Sequence, residues 1–392
     1  MRFDLCKGVI IALAILLSCG CAGTDTQQQT DFAVNARVSN TSPGNMVADG
    51  PEIVTYSTIQ AAVDAAPKGV AGWTIFIAPG TYHERVVIGQ AGIRLIGSGQ
   101  ANTRITFNRY AGQSVEPGSE ETWGTFRTAV VEVVATDVSL FDLTIENTYD
   151  YPADDRLPKG HPDKVRGTQA VALKIAENAD RTVLQRVALL GYQDTLYVQG
   201  GRTYVTDSEI RGHVDFIFGN GNALFESVDI VSRPRAHPMT YTGYLTAPST
   251  LLDQDYGFTF INCRLLRELD VPDNSVPLGR PWHPTTTFAD GRYANPFAVG
   301  KSTFIETFMD AHIADVGWGS MGGTAKDGSR KRFDPIADAR FSESGSYGPG
   351  AVISDARPQI SLSKLADYEK HLILGNWQPS LLPLSRYQAL ID

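Results

Sequence analysis

One short pattern recurs along this chain, and its spacing limits the fold more than any other feature. Leu140–Ile145, Leu184–Leu189, Val205–Ile210, Phe225–Ile230 and Phe260–Leu265 are related segments. Their fourth residues, Leu143, Val187, Ser208, Val228 and Cys263, are separated by 44, 21, 20 and 35 residues. A unit of about 20–22 residues, one doubled step and one step lengthened by an insertion account for these intervals. Short strands repeated at this length stack coil on coil. Helical patterns are absent between them, which argues against leucine-rich repeats and βαβ units. The spacing therefore predicts an all-β solenoid, a single-stranded parallel β-helix with short capping helices. Equivalent positions on adjacent coils would lie about 4.8 Å apart.

Open coil ends expose strand edges and need covers. Residues 57–66 read as a helix that Ser57 or Thr58 can cap, with Ile59, Ala62, Val63 and Ala66 on one face and Pro67 as its stop. Near the other end, Ser363–Leu374 reads as a second helix, ending at Gly375. Long insertions at 109–128, 150–168, 234–256, 269–301 and 315–360 are where a rigid scaffold builds a cleft.

The chain starts with charged residues, followed by an apolar run from Gly8 to Leu17 that has the length of a secretory core and is too short to span a bilayer. It ends at Leu16-Leu17-Ser18-Cys19-Gly20-Cys21, a pattern similar to a bacterial lipobox, with Cys19 or Cys21 as the lipidated residue and an ordinary cleaved signal as the alternative. Acyl chains would tether the protein to a membrane without a spanning helix. The expected layout is a signal over residues 1–20, a flexible polar tether over 21–50 and one domain over 51–392. Past the signal only Cys263 remains, which excludes an internal disulfide and suits a small buried apolar residue. With a net charge of −9 and no basic run, the chain carries no nucleic-acid footprint.

Two aspartates, Asp194 and Asp215, are 21 residues apart, one repeat unit. Stacked carboxylates cannot easily both ionise, so such a pair holds one proton over a wide pH range. An ionised member can attack a carbonyl while a protonated member serves the leaving group. The apolar neighbours Val214 and Phe216 would raise the pKa of Asp215 unless a cation is near, and Arg280 is the candidate. The same spacing also suits turn residues that ladder with backbone amides. Gln169 precedes Gln193 by 24 residues, about one coil, and side-chain amides can donate to an oxyanion or form a structural ladder. Tyr197, Phe218 and Trp282 follow Asp194, Asp215 and Arg280 closely and suit sugar stacking or core packing. His213 would share a strand face with Asp215, which leaves it a supporting role. No serine-nucleophile elbow, zinc spacing, dinucleotide or phosphate loop is present, so no metal or cofactor is expected.

Gly191–Tyr197, Val214–Gly219 and Leu278–Trp282 closely resemble the three signature segments of pectin methylesterases. Gly80–Glu84 and Thr168–Leu173 resemble two further segments of that family, in the same order. Tyr244–Pro248 and Gly279–Asp290 resemble its bacterial branch. The resemblance implies a right-handed parallel β-helix and a metal-free, monomeric aspartyl esterase acting on pectin or oligogalacturonide methyl esters. By matching position it implies Asp215 as nucleophile, Asp194 as acid then base, Gln193 and Gln169 as oxyanion donors, and Arg280 as the cation on Asp215. Tyr197, Phe218, Trp282 and Met321 would line the cleft. The inter-coil disulfide of some relatives is missing, since Ser208 and Val228 stand at those places. The lipobox, with this resemblance, implies an outer-membrane lipoprotein of a Gram-negative bacterium. An esterase or thioesterase for another acyl group, and a non-catalytic polysaccharide binder, are the alternatives.

Overall fold

A computed structural model describes residues 32–40, 53–70, 72–237 and 239–391; the signal, the lipobox cysteines and most of the proposed tether lie outside the described residues. The strands pair in parallel from coil to coil. One face, the site face, is a ladder of Val86–Ile88, Val131–Val133, Leu173–Ile175, Leu196–Val198, Val214–Gly219 and Tyr244–Pro248. Two further runs of parallel strands merge into a single wide sheet because Ser139–Asn147 and Thr182–Leu190 pass through both. This is the expected parallel β-helix.

The recurrent segments stack in register. Ala188 pairs with Thr144 on one side and Glu209 on the other, Glu209 pairs with Asp229, and Asp229 pairs with Arg264. Leu143 thus neighbours Val187 directly. The long step between them is therefore one coil enlarged by the 150–168 insertion, and the expectation of a doubled step is corrected. Six successive coils turn a corner at a left-handed residue: Asp142, Arg186, Asp207, Ser227, Asn262 and Glu306 have φ between 49° and 57°. Left-handed backbone is unusual for residues with a β-carbon, so its recurrence at one register position is a property of the coil. Arg186 clasps the Asp142 carboxylate with two hydrogen bonds of 2.6 and 2.8 Å, bracing two of these corners.

Inside, like stacks on like. Leu140, Leu184, Val205, Phe225, Phe260 and Phe304 form one column by register. The rings of Phe225, Phe260 and Phe304 are parallel within 9°, with centroids 4.5 and 4.4 Å apart. The column ends on Glu343, which is buried and receives two hydrogen bonds from buried Arg357, at 2.8 and 2.5 Å. A buried pair of this geometry compensates two charges that would otherwise be prohibitive there. Cys263 is free and buried in the apolar core, as expected, and burial pushes its thiol up to about 12.

The first cap is the helix Ile59–Asp64, with Thr58 accepting from the Ala61 amide and Ile59, Ala62 and Val63 buried. Glu84 accepts from the amides of Ile59 and Gln60 at 2.8 and 3.0 Å, placing a carboxylate on the helix N-terminus. Three expectations are corrected. Residues Ala36–Val38, read as tether, form a strand between Val54–Tyr56 and Trp73–Ile77, because Ala36 and Val38 have a core to enter and Phe32 packs near Leu382. The helix over 363–374 is broken: Leu362–Tyr368 is a 3-10 turn, and Glu369, with extended backbone, separates it from Lys370–Ile373. The insertions at 234–256 and 315–360 are not wholly irregular, since Tyr244–Pro248 and Arg340–Ser344 are coil strands within them.

Candidate active site

Asp194 and Asp215 occupy equivalent corners of adjacent coils on the site face. Leu196 pairs with Ile217 and Tyr197 with Phe218, so the aspartates share that 21-residue register. Both are left-handed, with φ of 65° and 51°, and the Asp194 amide donates to the Val214 carbonyl at 3.1 Å. Both are therefore corner residues at one register position, and among the described residues neither carboxylate accepts from a backbone amide. Pairing between Val214–Gly219 and Tyr244–Pro248 slips between Val214 and Ile217, which marks a bulge at Asp215. A bulge re-aims a side chain beside a sheet face.

Arg280 reaches Asp215 from the neighbouring turn, where its amide donates to the Thr246 carbonyl. Its Nε and Nη2 donate to the two carboxylate oxygens at 2.8 and 2.5 Å. The guanidinium also lies over the Tyr244 ring, 4.2 Å from its centre. Asp215 is thus a buried carboxylate held by a fixed fork, while among the described residues no cation is hydrogen-bonded to the buried Asp194. Burial, then the charge of Asp215, push the Asp194 carboxyl well above the usual range, against a smaller opposite pull from Arg280. Asp215 is gripped by a cation while its neighbour Asp194 is driven towards the protonated form, the asymmetry that separate acid and nucleophile roles require.

The Thr168 hydroxyl donates to Gln193 Oε1 at 2.8 Å, which makes the amide nitrogen the donor end of Gln193, without a partner among the described residues. Gln169 lies next to Thr168, and its carbonyl accepts from the Ala111 amide at 2.8 Å. The 109–128 and 150–168 insertions are joined again where Gly112 donates to the Gly167 carbonyl at 2.7 Å. A β-carbon at Gly112 would come within 1.6 Å of the Arg166 carbonyl oxygen, so this approach requires glycine. A cavity of about 550 Å³ opens between these insertions beside Thr168.

Tyr197 and Phe218 stack at 4.5 Å with an interplanar angle of 8°, and Trp282 follows at 5.7 Å. Tyr197 and Phe218 are only 5% and 3% exposed and pack in one apolar cluster with Ala129, Val171 and Ala247, against which Trp282 lies. Phe126, 48% exposed and 5.2 Å from Tyr197, extends the aromatic row from the 125–127 turn. No sequence rule singled it out, because its insertion follows no period. Met321 begins the hairpin Met321–Thr324/Arg330–Phe333. His213 is corrected: it is not the partner of Asp215, because the left-handed corner breaks strand alternation. Its ring is buried against Tyr151 at 4.2 Å, its Nδ1 accepts from the Val214 amide, and burial, with Arg235 and Arg233, holds its pKa well below the usual value. Among the described residues no group of three or more His, Cys, Asp or Glu side chains could hold a metal ion.

The family model described as Pectinesterase matches residues 45–328. Pectinesterase A of Dickeya dadantii is 42% identical over 374 residues, covering 95% of this chain and 98% of that protein. Among solved structures, pectin methylesterase from Erwinia chrysanthemi is 43% identical with a TM-score of 0.83, covering 89% of this chain and 99% of that one. Pectin methylesterase from Yersinia enterocolitica is 44% identical with a TM-score of 0.78, covering 82% of this chain and 99% of that one. A further pectin methylesterase, 43% identical and with a TM-score of 0.83 over 89% of this chain and 99% of its own, was solved in complex with a hexasaccharide.

Proposed function

This chain belongs to the pectinesterase family, and on that premise we propose how its residues divide the work of removing methyl esters from pectin. It is a carboxylic-ester hydrolase. The observation that carries the assignment is the unequal treatment of the two aspartates: Arg280 grips Asp215 through two hydrogen bonds while burial raises the pKa of Asp194.

In this reading an Asp215 oxygen attacks the ester carbonyl carbon of a galacturonate residue. The carbonyl oxygen becomes an oxyanion, which the amides of Gln193 and Gln169 receive. The carbon–methoxy bond breaks, and the Asp194 proton passes to the departing oxygen, giving methanol and an acyl anhydride on Asp215. Asp194, now ionised, takes a proton from water as the water oxygen adds to the acyl carbon. Asp215 leaves as a carboxylate, the galacturonic acid is released and Asp194 is protonated again. Phe126, Tyr197, Phe218, Trp282 and Met321 would line the sugar path. Because the acid must be protonated, activity falls as pH rises through the elevated Asp194 pKa.

Thr168 acts here as a positioning residue. Thr168→Val removes the hydroxyl that fixes the Gln193 amide and keeps the volume. An oxyanion donor contributes about 10²–10³-fold, so misorienting one is expected to lower kcat by about tenfold with KM little changed. Steady-state methanol release checks this, and a loss confined to KM would reject the role.

We also read the chain as an exported, monomeric lipoprotein held at the outer membrane through Cys19 or Cys21. Among the described residues no helix is long and apolar enough to cross a membrane. Wild type is expected in the detergent phase after extraction of expressing cells, and the Cys19→Ala/Cys21→Ala protein in the aqueous phase. Equal partitioning of both would reject the anchor.

A further inference from the structure

A second opening lies away from the site face. Its volume is about 650 Å³, within the ~300–1,000 Å³ common for small-molecule sites. Its floor is the wide sheet, where strand Lys301–Ile305 pairs with Arg340–Ser344 and Lys301 stands beside Arg340. One wall is the turn at Asp255 and Tyr256, and the other is the segment from Gln359 to Tyr368. Asp194 and Asp215 sit on the separate ladder that ends at Tyr244–Pro248, so the two openings belong to different sheets.

Lys301, Arg340 and Lys364 line this opening, against Asp255 and Asp367. Among the described residues none of the five forms an ion pair, so the place is net positive on a chain whose net charge is −9. Lys301 is held without a carboxylate. Its Nζ donates to the Asp255 carbonyl at 2.5 Å and lies 5.3 and 5.4 Å from the ring centres of Tyr256 and Tyr368. The Tyr256 hydroxyl donates to the Asp367 carbonyl at 2.5 Å and joins the two walls. The ammonium is therefore fixed in advance with donors to spare, which lowers the ordering cost of binding. Arg340 donates to carbonyls instead: Nε to Val299 at 3.0 Å, and Nη1 to Gln254 and Nη2 to Leu251, both at 2.8 Å. Burial holds its pKa below the ordinary value, against the opposing pull of Asp255. A half-buried cation that no carboxylate balances favours an anion nearby. Ser342 and Ser361 add hydroxyls to the lining, so the opening suits an anion that also carries hydroxyl groups.

We propose that this opening is a second saccharide site, remote from the catalytic cleft, which takes an unesterified galacturonate unit and tethers the enzyme to its polymer. The choice of sugar rests on the pectinesterase reading. The carboxylate accepts from Lys301, with Lys364 at the rim and Arg340 supplying field, and the ring hydroxyls meet Ser342 and Ser361. A methyl ester carries no charge and gains nothing from the three cations.

The test is titration calorimetry with the unesterified galacturonate hexamer, which an esterase cannot turn over. A binding component is expected in wild type and again in Trp282→Ala, which alters the cleft alone. Its Kd should rise by about tenfold or more in Lys301→Gln/Lys364→Gln, the scale of a hydrogen bond to a charged group. Lys364→Gln should give a smaller rise, and its exposed position keeps the fold out of the comparison. Added salt should weaken the wild-type component. Methanol release from a short methyl-esterified oligomer should be unchanged in both lysine variants. No component in wild type, its loss in Trp282→Ala, or an unchanged Kd in both lysine variants would overturn the proposal. So would equal binding of the fully methyl-esterified hexamer, or equal competition by inorganic phosphate at the same ionic strength. Each of these results leaves the esterase reading intact, whereas absence of methanol release by wild type would overturn that reading and leave the calorimetry standing.

Discussion

Replacing Asp215 by alanine is expected to abolish methanol release, with a fall in kcat of about 10⁶-fold, the scale seen when a nucleophile is removed from a catalytic group that acts as a unit. Two contributions vanish together: the attacking oxygen, and the charge opposite Arg280. The second also affects the fold, because the Arg280 guanidinium would lose both of its hydrogen bonds to Asp215 in a largely buried place. Asp215→Asn separates the two. The amide keeps the size and one acceptor oxygen but cannot serve as the nucleophile, so activity should be lost as fully while the thermal transition moves less than in the alanine variant. Methanol release and thermal melting of the two proteins check this. An Asp215→Asn enzyme retaining more than about 1% of wild-type kcat would show that the carboxylate does not attack, since 10²-fold is what positioning effects alone can produce.

Arg280 is the second large prediction. Its side chain is 21% exposed and that of Asp215 10%, so the pair sits mostly out of water. Removing one member of such a pair destabilises by about 3–5 kcal/mol, because the other is left buried and uncompensated. Arg280→Met should therefore lower the melting temperature markedly and reduce kcat by at least about 10²-fold, as Asp215 loses the fork that aims it. Arg280→Lys keeps the charge but not the fork or the stacking on Tyr244, and should recover stability better than activity. The Asp215→Asn/Arg280→Met protein should be more stable than Arg280→Met alone and still inactive. A double variant no more stable than the single one would deny that the pair is energetically coupled.

Much of this was legible from residue spacing. The intervals among Leu143, Val187, Ser208, Val228 and Cys263 are the strand registers themselves, because coil stacking forces equivalent residues into one column. The 44-residue step misled, since an interval cannot distinguish a skipped coil from a coil enlarged by Tyr151–Arg156 and its flanks. Strand Arg340–Ser344 was hidden because its column carries Glu343, a charged residue that only the distant Arg357 makes tolerable. The helix over 363–374 failed at Glu369, where docking of the segment beside Tyr204 overrides local propensity.

The site was readable in the same uneven way. Asp194 and Asp215 share a register, so their spacing carried the pairing, and the apolar neighbours of Asp215 pointed to a cation. Arg280 was the candidate for that cation, the motif resemblance implied the same role, and the structure gives the two hydrogen bonds. Thr168 stood inside a recognised segment without a role, because a hydroxyl that orients an amide 25 residues away leaves no local pattern. Phe126 lies on an insertion, which carries no period by which its position could be inferred.

The central claim is that the substrate acyl group passes through Asp215. Wild-type enzyme mixed with a methyl-esterified oligogalacturonide can be quenched in acid within the first turnover, digested with pepsin and examined by mass spectrometry. The acyl group is expected on the peptide containing Asp215, and on no peptide of the Asp194→Asn or Asp215→Asn proteins beyond background for the latter. An acyl group on any other residue of wild type, or the same adduct yield from Asp215→Asn, would contradict the account.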